Sequence, residues 1–193
     1  MIYSNVMLDL ETMGNGSNAA IVAIGACAFD IEGGEIGPGY YNRVDLESAV
    51  RGGGVMDAST VRWWLGIDDS DARQEIAREG AMHLNVALTS FSQWLEATTH
   101  ADVAIWGNGA NFDGVILRNA YGRAERPVPW KWWNERCYRT VKSLYPEIRI
   151  ERLGTAHNAL DDAVSQARHL ITLLHPAKRE EAILLQQAVK ASF

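Results

Sequence analysis

The 193-residue sequence predicts an α/β layered domain with a mixed β-sheet, its first three strands antiparallel and a later strand parallel to the first. Three observations carry that expectation. Three alternating apolar runs open the chain, an amphipathic helical repeat leads into a short apolar strand at its middle, and two helical segments close it. With 47% hydrophobic and 22% charged residues, the composition is that of an ordinary globular chain, and residues 1–193 read as a single domain.

The opening strands run from Ile2 to Leu10, Ala19 to Phe29 and Ile36 to Val44, with the turn signals GNGSN and EGGE between them. From Asp45 to Gly80 the pattern turns helical. DASTVRWWL offers Asp57 and Ser59 as capping residues, and DDSDARQEIARE gathers acid at its start, so residues 45–80 read as a helical insertion. Leu84, Leu88, Phe91 and Leu95 mark one face of a helix that enters the strand DVAIWG, which implies a β-α-β crossover. The loop NGAN, a helix from about Asn111 to Tyr121 and the stretch RPVPWKWW follow. CYRTVKSLYP carries no clear period, and the two C-terminal helices come after it.

The bulk numbers exclude several classes. No run approaches the roughly 20 apolar residues of a membrane span, and the first residues lack the basic start of a signal peptide, so a cytoplasmic protein is expected. Cys27 and Cys137 are too few for a disulfide framework and read as buried free thiols. A net charge of −6 argues against binding a polyanion only if it is evenly spread. It is not, because residues 118–152 hold nine basic and four acidic side chains. That stretch is either a phosphate-facing flank or a solvated surface.

The chemistry concentrates in three acidic motifs. In VMLDLETMG, residues 6–14, Asp9 and Glu11 lie two apart on a strand, so they share a face and repel unless a cation lies between them. The plain alternative is a strand end facing water. In NFDGVIL, Asp113 falls in the first turn of a helix at the carboxyl edge of the sheet, where α/β proteins bind ligands. Alone, it would be only a helix-start acid. In HNALDDAVSQARHLITLL, the apolar stripe of Leu160, Ala163, Val164, Ala167, Leu170, Ile171 and Leu174 orients the helix. Asp161 then falls on the polar side with Ser165 and Arg168, behind Asn158 as N-cap, whereas Asp162 falls beside Gln166 and His169 at the margin of the stripe. A carboxylate at that margin is costly without a cation, which makes Asp162 the ligand candidate. His157 converges with Asp162 only if it lies off the helix, and RLGTA before it supplies such a loop. His83, His100, His169 and His175 read as solvated or capping residues.

Asp9 and Glu11 in DLET, Asp113 in NFDGVIL, and His157 with Asp162 in HNALDD together resemble the DEDD superfamily of 3′-to-5′ exonucleases, in its histidine-bearing proofreading-type (DEDDh) branch. The pairing of DASTVRWWL with HNALDDAVSQA further resembles small phage and bacterial exoribonuclease-like or exodeoxyribonuclease-like members. The resemblance implies an RNase H-like fold and two divalent ions, Mg²⁺ or Mn²⁺, held by Asp9, Glu11, Asp113 and Asp162. It also implies hydrolysis of single nucleotides from a 3′ end. Four carboxylates offset two divalent charges, and oxygen ligands suit hard ions. Asp9 is expected to bridge the ions, with Glu11 and Asp162 completing one site and Asp113 supporting the other. His157 is expected as general base, since histidine ordinarily titrates near pH 6.5. The segment at 45–80 and PWKWW depart from the minimal proofreading domain.

The expected partner is the 3′ end of single-stranded RNA or DNA. Trp63, Trp64, Trp106, Trp130, Trp132 and Trp133 are the candidate stacking platforms, with one of Trp63 and Trp64, and Trp106, expected in the core instead. A homodimer interface is the competing use of the exposed ones. No residue announces contact with a 2′-hydroxyl, so RNA and DNA stay undivided. Two rival readings are a catalytically inactive nucleic-acid-binding module on a nuclease fold and an RNase H-like endonuclease.

Overall fold

Alternation along the first apolar run places β1 (Tyr3–Thr12) at the centre of a sheet. In the computed structural model, described over residues 1–68, 72–73, 79–155 and 157–191, β1 pairs antiparallel with β2 (Ile21–Asp30), and β2 pairs antiparallel with β3 (Glu35–Arg43). On the other side β4 (Thr99–Gly107) joins β1 in parallel, and the short β5 (Glu135–Cys137) joins β4 in parallel, so the order is β3-β2-β1-β4-β5. The three early strands and the later parallel one are as the sequence predicts. β4 begins three residues before DVAIWG, because Thr99 already pairs with Tyr3.

The helices are α1 (Leu46–Arg51), α2 (Ala58–Gly66), α3 (Leu84–Thr98), α4 (Asp113–Arg123), α5 (Tyr138–Ser143), α6 (Ala159–Leu174) and α7 (Pro176–Ala191). Most of DDSDARQEIARE lies outside the described residues. CYRTVKSLYP, without a clear period in sequence, divides between the end of β5 and the two turns of α5. Asp57 stands at the N-cap of α2 but makes no cap bond there. Its carboxylate instead accepts the Asn15 N–H at 2.7 Å, and Ser59 lies within the helix rather than before it.

Strand alternation divides the core into two layers. Val6, Leu8 and Leu10 face α3 and α4 together with Ile24, Val103, Ile105, Phe91 and Leu117, while Met7, Cys27 and Phe29 face α6 with Ala163, Ala167 and Leu170. β2 is buried on both faces, which explains its nearly unbroken apolar run. α6 lies directly on the strands, since a Cβ at Gly25 would stand 2.1 Å from the Ala159 carbonyl carbon. Its buried arc is wider than the predicted stripe and takes in Gln166, His169 and Leu173. Ser165 is a correction: it is buried, because its hydroxyl accepts the Leu153 N–H at 2.9 Å and donates to the Asp161 carbonyl at 2.8 Å. His169 is another, held between the Tyr138 hydroxyl at 2.7 Å and the Ile148 carbonyl at 3.0 Å. Of the two thiols, Cys27 is buried but Cys137 is only half-buried.

Candidate active site

The odd-numbered face of β1 turns toward α6, so Asp9 and Glu11 continue the line begun by Met7 and project past the apolar layer beneath the start of that helix. Asp9 lies opposite Gly25 and Glu11 opposite Ala23, and small residues there leave room for the carboxylates. The register shifts between Glu11 and Thr12, ending the regular ladder where the acidic pair stands. The Gln166 amide, one turn beyond Asp162 on α6, donates to Asp9 Oδ1 at 2.7 Å.

Asp113 comes from the opposite layer. It is 2% exposed at the first position of α4, where its Oδ1 accepts the Leu10 N–H at 3.2 Å and its Oδ2 the Asn108 N–H at 2.8 Å. These bonds tie the helix start to the carboxyl ends of β1 and β4. Asp161 and Asp162 separate as the helix orientation requires. Asn158 caps α6 through the Leu160 and Asp161 N–H groups, and Asp161 accepts the Thr155 N–H at 2.8 Å, a structural task. Asp162 stands with Oδ1 2.9 Å from Arg152 and Oδ2 accepting the His157 N–H at 3.2 Å.

His157 lies off the helix, as the five-residue interval demands, with φ at +63° in the left-handed region that side chains seldom adopt. Its ring meets the edges of Trp63 and Trp64, with centroids 5.0 and 6.1 Å away. Trp64 is core, its indole N–H bonded to the Thr12 carbonyl at 3.0 Å, whereas Trp63 is half exposed. Glu11, His157 and Asp162 each present a ligand atom within 4.8 Å of the others.

The electrostatics join Asp9 and Asp113 to this group. Burial, then the charges of Asp113 and Asp162, push the Asp9 carboxyl well above the usual range, against the Gln166 bond and Arg152, which lower it. Glu11 is raised by burial and then by Asp9, Asp162 and Asp113. Burial raises Asp113 to about 6, despite the N–H bonds it accepts and the nearby Arg139 guanidinium. Asp9 and Glu11, pushed up by burial and by the carboxylates around them, fit a cation site, and the all-oxygen donor set they form with Asp113 and Asp162 suits hard divalent ions.

Beside Glu11 opens a cleft of about 400 Å³ lined by Leu10, Trp63, Trp64 and Phe112, with Ser59 and Thr60 on one wall. Trp106 and Trp130 are buried, and Trp132 and Trp133 are exposed on the segment before β5. Sequence reasoning missed Gln166 and Arg152 as neighbours of the site. Gln166 had a signal in its place four residues after Asp162, on the same face; Arg152 had none, since it arrives through a loop.

Residues 4–174 match the family described as the 3′-5′ exoribonuclease Rv2179c-like domain. The chain is similar to an exodeoxyribonuclease of Enterobacteria phage T4, at 27% identity over 157 residues that cover 69% of this chain and 68% of the relative. Among solved structures, the nuclease domain of 3′hExo, a DEDDh family member bound to rAMP, has a TM-score of 0.60 at 12% identity and covers 94% of both chains. E. coli exonuclease I in complex with a dA16 oligonucleotide has a TM-score of 0.65 at 16% identity, covering 93% of this chain but 42% of that one. At these identities the two structures establish the fold, the mixed sheet of the RNase H-like DEDDh exonucleases.

Proposed function

We propose, from the premise that this chain belongs to the 3′-5′ exoribonuclease Rv2179c-like domain family and is thereby a 3′-5′ exonuclease, that residues 1–193 act as one domain removing nucleoside monophosphates from single-stranded 3′ ends. The observation that carries this reading is the convergence of Glu11, His157 and Asp162 within 4.8 Å, with Asp9 and Asp113 close enough to raise the shared carboxyls. Asp9, Glu11, Asp113 and Asp162 would hold two divalent ions, Mg²⁺ or Mn²⁺. Bound there, such ions supply Lewis acidity at phosphate oxygens and a water of lowered pKa.

The residues of the chain do the rest. A ring nitrogen of His157 takes a proton from the attacking water, whose oxygen bonds to phosphorus as the bond to the leaving 3′ oxygen breaks and that oxygen takes a proton from solvent. Trp63 and Trp64 orient that ring, and the bond from its backbone N–H to Asp162 keeps the loop against α6. Gln166 fixes one oxygen of Asp9, leaving the other for the site. The cleft beside Glu11 receives the terminal nucleoside, its base against Trp63 and Phe112 and its sugar toward Ser59 and Thr60. The helical segment at 45–80 contributes that wall through α2.

Single-stranded RNA, single-stranded DNA and duplexes with overhangs, each carrying a 3′ label, test the reading with Mg²⁺, Mn²⁺ or EDTA. Labelled mononucleotide from the first time point, abolished by EDTA, is the expected result. Long early fragments would instead identify an endonuclease, and binding without any product an inactive module.

A further inference from the structure

The cleft beside Glu11 does not end at Phe112. A second cleft, of about 650 Å³, shares Asn15 and Phe112 with it and continues along Gly109 to Asn111 to Arg139, Thr140 and Ser143 of α5. The two differ in chemistry. Three aromatic rings, Trp63, Trp64 and Phe112, line the first, whereas the second carries the Arg139 guanidinium.

Most basic side chains of the 118–152 stretch are engaged elsewhere. Arg118 pairs with Glu135 and Lys131 with Asp102, Arg152 pairs with Asp162, and Arg123 and Arg136 donate to backbone carbonyls. Arg139 makes no ion pair among the described residues, and its Nε reaches only the Asn108 side-chain oxygen, at 3.5 Å. It is exposed, yet close enough to the carboxylate site to draw Asp113 down against burial.

We infer that Arg139 is a substrate-positioning residue that binds the phosphate one step upstream of the scissile bond, so that the enzyme engages the last two nucleotides of a strand rather than the terminal one alone. The inference rests on the exonuclease reading above. With the terminal nucleoside in the aromatic cleft and the scissile phosphate at the carboxylates, the strand departs through the adjoining cleft. An unpaired guanidinium there matches the next phosphate in charge and in its paired donors. Thr140 and Ser143 offer hydroxyls to the same stretch of backbone.

Two minimal substrates separate the phosphates. A dinucleoside monophosphate, NpN, carries only the scissile phosphate, while its 5′-phosphorylated form, pNpN, adds the one assigned to Arg139. For the wild-type chain with Mn²⁺, kcat/KM for pNpN should exceed that for NpN by about tenfold or more, the range of one charge-assisted contact. In Arg139→Gln the ratio should fall toward one, chiefly through KM, and Arg139→Lys should retain part of it. Equilibrium binding of a five-nucleotide strand in EDTA should also lose close to one unit of its salt slope in Arg139→Gln. A pNpN preference unchanged in Arg139→Gln, or absent from an active wild type, overturns the assignment. Hydrolysis of neither dinucleotide nor longer strand by wild type overturns the exonuclease reading itself, and the assignment falls with it.

Discussion

His157 combines three features that make it sensitive to substitution: a left-handed backbone, edge contacts with two indoles, and an N–H bonded to a carboxylate of the site. Alanine removes the ring and its contacts with the two indoles but keeps the backbone N–H bond to Asp162, so His157→Ala should still fold and lower kcat by about 10²- to 10⁴-fold, the usual worth of a general base. Metal binding followed by calorimetry should change little. Unchanged turnover would remove His157 from the mechanism. Asp9 poses a different question. Its Oδ1 accepts from Gln166, and an asparagine can keep that bond while removing a carboxyl that burial, Asp113 and Asp162 all disfavour in its charged form. Metal-free Asp9→Asn should therefore melt above wild type at pH 8, by about 2–4 °C for each kcal/mol of repulsion relieved, and lose the rise that Mg²⁺ or Mn²⁺ gives the parent. Asparagine at Asp113 is less clean, since both of that carboxylate's oxygens accept backbone N–H groups.

At the scale of elements, α6 bears on both fold and site. Its first residues rest on Gly25 so closely that an added methyl group would meet the Ala159 backbone at 2.1 Å. Gly25→Ala should cost about 1–3 kcal/mol, read as a lower urea midpoint. Because Asp162 and Gln166 ride on the same helix, activity should fall as well. Further along, burial lowers the pKa of His169, helped by Lys142 and opposed by the bond to Ile148. The folded chain thus prefers the neutral ring. This contribution to stability is complete above about pH 6.5, the ordinary unfolded value, and is lost as pH falls toward and through the lower folded value. His169→Gln should flatten that acid-side decline in melting temperature. The helix also shows what the sequence disclosed. A stripe of period 3.6 separated Asp161 from Asp162, and strand alternation put Asp9 beside Glu11, since both rules act over a few neighbouring residues. His169, Ser165 and Arg152 were not legible, because their surroundings come from Tyr138, Leu153 and a loop that no local period describes. Asp57 misled for the same reason: its partner, Asn15, is 42 residues away.

Over the whole molecule, the site assembles where the end of the central strand, the start of a helix from each layer and a loop converge. Its order along the chain was readable because each motif carries its own acidic residue. The cleft walls were less so, since Trp63, Phe112 and Arg139 meet only after folding. Among the described residues, no helix is long and apolar enough to cross a membrane.

β2, buried on both faces, has a further consequence. From Ile21 to Phe29 it presents IVAIGACAF, with no charge, no proline and a single glycine. Sheltered between two layers, it is harmless; released by heat, it has the composition that stacks into intermolecular β-structure. Thermal denaturation should be irreversible, with an apparent midpoint that climbs with scan rate and falls with protein concentration. Recovery from urea should be best in dilute solution, where neighbouring chains seldom find that segment before α6 closes over it.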